Sequence, residues 1–240
     1  LALRGTPEKC SKCKVSACYK GTEEVPGCPM FEFPRTMESN AQCNLCGLCV
    51  KSCPNDSLTL KTRIPTKELW SVRKPQFAAS FLTMVIMGIV FVQNFTMLEV
   101  WQSILSRLEI ILGTDSFFVT FTVTFLIVLS IPIILMTMVS FLAKKANNAS
   151  LMENFTRFGY AIIALDVAGH IAHNLFHLFA EGGTLYITGA AFFGKTVENV
   201  SPAILDAMTI QILQYGLIAL GVAGSLYTAY RISKNNFPDK

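Results

Sequence analysis

The chain has 240 residues, of which 52% are hydrophobic and 15% are charged, and its mean hydropathy is +0.46. Because soluble domains of this length are rarely so apolar, the composition favours a membrane protein. The net charge of +4 is small and is spread over loops beside apolar stretches, which argues against a nucleic-acid partner. All cysteines lie between Cys10 and Cys53, whereas every long apolar run follows Phe77. We therefore expect two domains.

The N-terminal part contains two groups of four cysteines. The first group has the spacing C-x2-C-x4-C-x9-C-P, and its members are Cys10, Cys13, Cys18 and Cys28. The second group has the spacing C-x2-C-x2-C-x3-C-P, and its members are Cys43, Cys46, Cys49 and Cys53. The second spacing is that of bacterial [4Fe–4S] ferredoxins, in which the fourth cysteine binds the other cluster. We expect Gly47 to keep the backbone thin where it passes inorganic sulfide.

Over roughly residues 8–60 the chain resembles two-cluster ferredoxins. The resemblance implies a small α+β domain with two [4Fe–4S] clusters, which we place at residues 1–63. It also implies crossed ligation of the two clusters. One cluster would be held by Cys10, Cys13, Cys18 and Cys53. The other would be held by Cys28, Cys43, Cys46 and Cys49.

Zinc and disulfide bonds are the alternative uses of these cysteines. Zinc sites generally use pairs of C-x2-C knuckles separated by a longer stretch, and three cysteines at successive x2 spacing followed by C-P fit that pattern poorly. Disulfide bonds require an oxidising compartment, and the charge pattern of the loops, given below, places this domain in the cytoplasm.

Four apolar stretches follow a basic linker at residues 64–76. Each stretch has at least 20 residues, enough to cross a hydrocarbon core of about 30 Å. They cover about 77–98, 117–143, 155–180 and 204–230. We therefore expect an all-α bundle of four transmembrane helices over residues 77–234, followed by a tail at 235–240.

Two further features of the membrane part carry structural predictions. Between the first two stretches, Trp101 to Leu112 has apolar residues at helical spacing, which predicts a short helix on the membrane surface. In the fourth stretch, Gly216, Gly221 and Gly224 predict close packing against a neighbouring helix.

The basic residues predict the orientation of the bundle. They gather before the first stretch, between the second and third, and after the fourth, at Arg63, Lys67, Arg73, Lys74, Lys144, Lys145, Arg157, Arg231 and Lys234. The other two connections carry mainly acidic residues. The positive-inside rule therefore places both termini and the cysteine-rich domain on the cytoplasmic side of the inner membrane.

All three histidines of the chain lie in the third apolar stretch. His170, His173 and His177 follow Asp166 at offsets of 4, 7 and 11, so the four side chains share one stripe of a helix. Ionisable groups inside a membrane span are costly and usually face the bundle interior or a cavity. The stripe is therefore a candidate binding site, with Asp166 as a candidate for proton handling.

Four interpretations of the stripe remain open. The histidines are candidate ligands of haem b, with a second axial ligand from another helix or subunit. They are also candidates for a quinone site, with Asp166 moving protons. His173 and His177, at i and i+4, are suited to chelating a metal ion. The fourth interpretation is a set of buried histidines that only pack helices together.

The architecture as a whole resembles the membrane polyferredoxins that accompany periplasmic nitrate and nitrous oxide reductases. The resemblance implies a role in quinol oxidation and electron delivery. Together with the histidine stripe, it leads us to expect an electron-transfer subunit of a quinone-linked respiratory oxidoreductase, which passes electrons between cytoplasmic clusters and an intramembrane haem b or quinone. The expected partners are membrane lipid and other subunits of a membrane redox complex, including a cytochrome. A metal-handling or assembly factor and an ion-translocating subunit are the alternatives.

Overall fold

The structure is a computed structural model that describes residues 2–37, 40, 42–72, 74–197 and 200–237. Arg73 and the end of the predicted tail, 238–240, lie outside the described residues. The chain divides into a cysteine-rich unit, Leu1–Val72, and a helical unit, Arg73–Lys240.

Short helices and one two-stranded sheet make up the described part of the cysteine-rich unit. In chain order its elements are β1 (Ala2–Gly5), α1 (Pro7–Lys12), α2 (Ala17–Lys20), α3 (Leu48–Lys51), β2 (Leu58–Lys61) and α4 (Lys67–Trp70). β1 and β2 pair antiparallel, with Leu3 opposite Leu60 and Gly5 opposite Leu58. The sheet therefore joins the two ends of the cysteine-containing segment. α4 lies within the stretch predicted as a linker.

Cysteines contribute to the core of this unit. Leu3, Cys49 and Leu58 are buried together, and Cys18 and Cys53 pack against them. A unit this small buries little apolar surface, so one buried and two partly buried cysteines are a substantial part of its interior.

Helices of different lengths make up the described part of the helical unit. They are α5 (Phe77–Phe95), α6 (Glu99–Leu112), α7 (Phe117–Asn147), α8 (Leu151–Glu181), α9 (Gly183–Phe192) and α10 (Ala207–Asn236). Among the described residues, α5, α7, α8 and α10 are long and apolar enough to cross a membrane. This confirms four membrane-capable helices at the predicted places.

Capping residues explain why two helices begin away from the predicted ends. α8 begins at Leu151 rather than near 155, because the Ser150 side chain accepts the Glu153 N–H at 3.0 Å. α10 begins at Ala207 rather than near 204, because Asp206 caps it through the Thr209 N–H.

α8 packs against α5, α7 and α10, and α5 also packs against α7. Small residues permit close approach at these contacts. A Cβ atom on Gly159 of α8 would lie 2.5 Å from the Ser80 Cβ of α5. A Cβ atom on Gly88 of α5 would meet the Leu129 backbone of α7 at a similarly short distance. The bundle is thus held at separations that larger side chains would prevent.

Two shorter helices accompany the bundle. α6 is the helix predicted over Trp101 to Leu112, and its Trp101 and Leu105 are buried with Val92 and Val128 of the neighbouring helices. α9 was not predicted. Its apolar run is too short to cross a membrane, so a prediction based on stretches of membrane-spanning length did not include it. Large apolar side chains such as Phe192 and Leu185 are exposed on α9.

Candidate metal centres

The cysteines line two cavities of the N-terminal unit, four to each. The first cavity takes three cysteines from the first sequence group and one from the second: Cys10, Cys13, Cys18 and Cys53. The second cavity takes three from the second group and one from the first: Cys28, Cys43, Cys46 and Cys49. These groupings are the ones that crossed ligation requires.

The electrostatic environment of two thiols reflects the same groupings. Burial raises the pKa of the Cys49 thiol to about 11, and the further groups that raise it are Cys46, Cys28 and Cys43. Burial also raises the pKa of Cys18, followed by the effects of Cys53, Cys13 and Cys10. Iron binds the thiolate form of cysteine, so loading these cavities with metal releases protons.

Cys13 lies in a different environment within the first cavity. Hydrogen bonds from the Ser16 and Val15 backbone lower the pKa of its thiol. Hydrogen bonds of this kind stabilise a thiolate sulfur, whether it is free or bound to iron.

Gly47 begins α3, the helix that carries Cys49. Its φ of +79° lies in the left-handed region, which favours glycine. A Cβ atom at this position would meet no protein atom within 4 Å. The backbone turn that directs the chain into α3 is therefore a reason for this glycine that the sequence argument did not give.

Ser57 contacts two of the sulfur atoms in the first cavity. Its hydroxyl oxygen lies 3.0 Å from Cys10 Sγ, and its N–H donates to Cys53 Sγ at 3.4 Å. The side chain is almost fully buried, and its hydroxyl also accepts the Thr6 N–H. Hydrogen bonds to cluster sulfurs affect reduction potentials, so Ser57 is a functional candidate.

The absence of a side chain at Gly5 leaves room for the Cys10 sulfur atom. A Cβ atom on Gly5 would lie 2.5 Å from Cys10 Sγ. Neither Gly5 nor Ser57 was predicted. Ser57 meets Cys10 only through the pairing of β1 with β2, whereas Gly5 lies close to Cys10 in the sequence. A small residue shortly before a C-x2-C motif is at best weak evidence for such a contact.

The structure brings two of the three histidines together. The His173 and His177 rings have centroids 4.9 Å apart with an interplanar angle of 70°. His177 Nδ1 lies 3.1 Å from Glu181 Oε2, one turn further along α8. His173 is half-buried, whereas the His177 side chain is 45% exposed.

The other two residues of the stripe have different surroundings. Asp166 is buried, and its Oδ1 atom has no hydrogen-bond partner among the described residues. His170 is half-buried and lines a shallow hollow with Asn174 and three aliphatic side chains. The stripe thus runs from a buried carboxyl through two half-buried histidines to an exposed histidine near the end of α8.

Comparison with known families places part of the chain in a described domain family. The family of 4Fe-4S binding domains, Fer4, matches residues 39–59, which include the second cysteine group. No curated protein and no solved structure matches the chain significantly. A ferredoxin-type [4Fe–4S] binding segment, followed by membrane-capable helices, is therefore present in this chain.

Proposed function

We propose that the chain is an iron–sulfur electron-transfer subunit of a membrane redox complex. In this proposal it holds two [4Fe–4S] clusters and passes electrons between them and an intramembrane haem b or quinone. One observation carries the proposal: each of two cavities gathers four thiols, three from one sequence group and one from the other. Crossed sharing of the fourth cysteine is typical of two-cluster ferredoxins.

The second cavity has the stronger support as a cluster site. Three of its cysteines lie in the segment that matches the 4Fe-4S family. Support for the first cavity comes from Cys53, which lies in the same matched segment but lines the other cavity. A cysteine of the family motif is thus directed to the first cavity, which argues for a metal group there as well.

A bound [4Fe–4S] cluster supplies one-electron transfer. The residues around each cavity would control which of the two clusters holds the added electron more stably. In the first cavity, Ser57 and the backbone around Cys13 direct hydrogen-bond donors at sulfur atoms. Such donors favour the more negative, reduced state. In the second cavity, the burial that raises the Cys49 pKa disfavours added negative charge.

The membrane side of the proposal rests on α8. His170 is half-buried in a helix suited to span the membrane, and Asp166 is a buried carboxyl one turn away. Polar groups of this kind inside a membrane commonly serve ligands or protons. His170 is the candidate haem ligand or quinone contact, and Asp166 is the candidate proton carrier. A second axial ligand for haem would come from a cytochrome or other partner subunit.

The loop charges support an orientation for this subunit. With basic residues such as Lys144 and Lys145 at the end of α7, the positive-inside rule favours a cytoplasmic position for that end and for both termini. The clusters would then face the cytoplasm of an inner membrane and exchange electrons with a soluble donor or acceptor.

The test is an analysis of iron, sulfide and spectra on the anaerobically purified full chain. We expect about eight irons and eight sulfides per chain. Adding a quinol, or a partner cytochrome, should change the cluster spectrum. A preparation that holds about four irons after full reconstitution contradicts the second cluster. Clusters that exchange no electrons with quinones or haem contradict the membrane part of the proposal.

A further inference from the structure

We propose that His173 and His177 together bind one transition-metal ion, outside any haem, at the end of α8. Glu181 is the positioning residue that orients His177. This site lies beyond the electron-transfer function proposed above, and it uses neither the cysteines nor His170.

The spacing of the two rings fits a shared ion. A metal–nitrogen bond of about 2.0–2.1 Å places the ion about 3.2 Å from each imidazole centroid. Two rings that meet one ion at a near-tetrahedral angle then have centroids about 5 Å apart. The observed separation is 4.9 Å. The separation of the two rings is therefore compatible with one shared ion.

The same distance argues against one haem held by both side chains. The axial ligands of a haem lie on opposite faces of the iron, which would separate the two imidazole centroids by about 6.4 Å for bonds of this length. His173 and His177 lie one turn apart on the same helix face, so their rings approach an ion from the same side. They are suited to adjacent positions on an ion and not to opposite ones.

Glu181 gives His177 the environment of a metal ligand. Metal-binding histidines commonly donate their second ring N–H to a carboxylate, which fixes the tautomer and the ring orientation. His177 Nδ1 lies 3.1 Å from Glu181 Oε2. A proton on Nδ1 leaves the lone pair of Nε2 free for a metal.

The end of the helix adds to the attraction for a cation. α8 ends at Glu181, so His177 lies about one turn from the partially negative end of the helix, and His173 lies one turn further from it. Among the described residues, no third His, Cys, Asp or Glu side chain completes a ligand set with this pair. The remaining positions on the ion are therefore left to water, to a small ligand or to another chain. With two imidazole ligands and open remaining positions, the site suits zinc and copper best.

The experiment uses the full chain with its clusters assembled, purified in detergent with a tag that contains no histidine. The protein is dialysed against micromolar Zn²⁺, and bound zinc is counted beside iron and sulfide. We expect one zinc per chain in the unsubstituted protein. H173A and H177A should lose it, and E181Q should weaken zinc binding by about 10–100-fold. Substoichiometric Cu²⁺ should give an electron paramagnetic resonance spectrum with coupling to two nitrogens.

H170A is the matched control, because it removes the third histidine of the same helix from a different hollow. It should keep the zinc. The proposal is overturned if the unsubstituted protein binds no zinc, if H170A loses as much zinc as H173A, or if both His173 and His177 prove to be haem ligands. E181Q alters an exposed side chain, so it provides the measurement even if a histidine variant fails to fold.

Failure of this inference is distinguishable from failure of the proposed function. Eight irons without zinc would remove only the ion site. One zinc per chain together with about four irons would contradict only the second cluster and would leave the ion site in place.

Discussion

Cys18 and Cys53 belong to different cysteine groups and line the same cavity. After burial, Cys53 is the group that most raises the pKa of the Cys18 thiol. Cys28 is the counterpart in the second cavity, where it lies among cysteines of the other group. Each cavity therefore takes its fourth thiol from the sequence group that supplies three thiols to the other cavity.

The first prediction concerns this exchange of the fourth cysteine. C53S should lose the same cluster signal as C18S, although Cys53 lies in the segment that matches the 4Fe-4S family. C28S should instead lose the signal that C43S loses. Each variant should fall from about eight irons to about four. Iron analysis and electron paramagnetic resonance of the reduced protein provide the measurement. A C53S spectrum that matches C43S would show that the fourth cysteines are not exchanged.

The second prediction concerns Ser57. Its N–H donates to Cys53 Sγ and its hydroxyl lies against Cys10 Sγ, so S57A removes the side-chain contact and keeps the backbone donor. The lost hydroxyl should destabilise the reduced state and lower the reduction potential of the first cluster by tens of millivolts, on the order expected for one hydrogen bond to sulfur. A redox titration followed by electron paramagnetic resonance provides the measurement.

S52A is the control for this prediction. Ser52 is also buried, but its hydroxyl donates to the Ala17 carbonyl at 3.1 Å. Its substitution should leave the potential of the first cluster near that of the unsubstituted protein. Equal shifts in both variants would assign the effect to general packing instead of the contact with sulfur.

The spacing of the second cysteine group was sufficient to predict the family match, because cluster chemistry requires that spacing within one short loop. Ser57 and Gly5 could not be predicted in the same way. Ser57 meets Cys10 only because β1 pairs with β2 across the length of the unit, and Gly5 lies near Cys10 in the sequence but belongs to no motif. The contact between Ser57 and Cys10 depends on the register of two strands that are distant in the sequence, and no local motif in this chain predicts that register.

The membrane-capable helices were predicted because long apolar runs are distinctive. Their ends were less accurate, since hydropathy changes gradually while a capping side chain sets a sharp start. Ser150 and Asp206 are both typical capping residues and could have corrected the starts of α8 and α10. α9 is a different case, because the length of a short apolar run does not distinguish a helix from a loop.

The third prediction concerns pH and Asp206. Hydrogen bonds from the Thr209 hydroxyl and N–H lower the pKa of the Asp206 carboxyl. A carboxyl with a lowered pKa in the folded state stabilises the protein above its ordinary pKa, and this contribution is lost as the pH falls through the lowered value. D206N keeps a capping side chain without the charge. The unsubstituted protein should therefore unfold at a higher temperature than D206N at neutral pH, and the difference should vanish in acid.

Helix circular dichroism during heating, at a series of pH values, measures this difference. Both proteins carry the same cysteines, so acid damage to any cluster affects both and cancels in the comparison. A difference that stays constant down to the most acidic pH would contradict the proposed role of the Asp206 charge.

The fourth prediction concerns the contact between α8 and α10. A Cβ atom on Gly221 would lie 2.5 Å from the Ala168 Cβ, whereas one on Gly216 would meet no atom within 4 Å. G221L should therefore force the two helices apart and destabilise the helical unit by about 1–3 kcal/mol or more. G216L should be neutral or slightly stabilising, because leucine has a higher helix propensity than glycine. Thermal unfolding in detergent compares the two variants, which add the same side chain to the same helix. Equal stability of both would mean that α8 and α10 do not approach each other closely at Gly221.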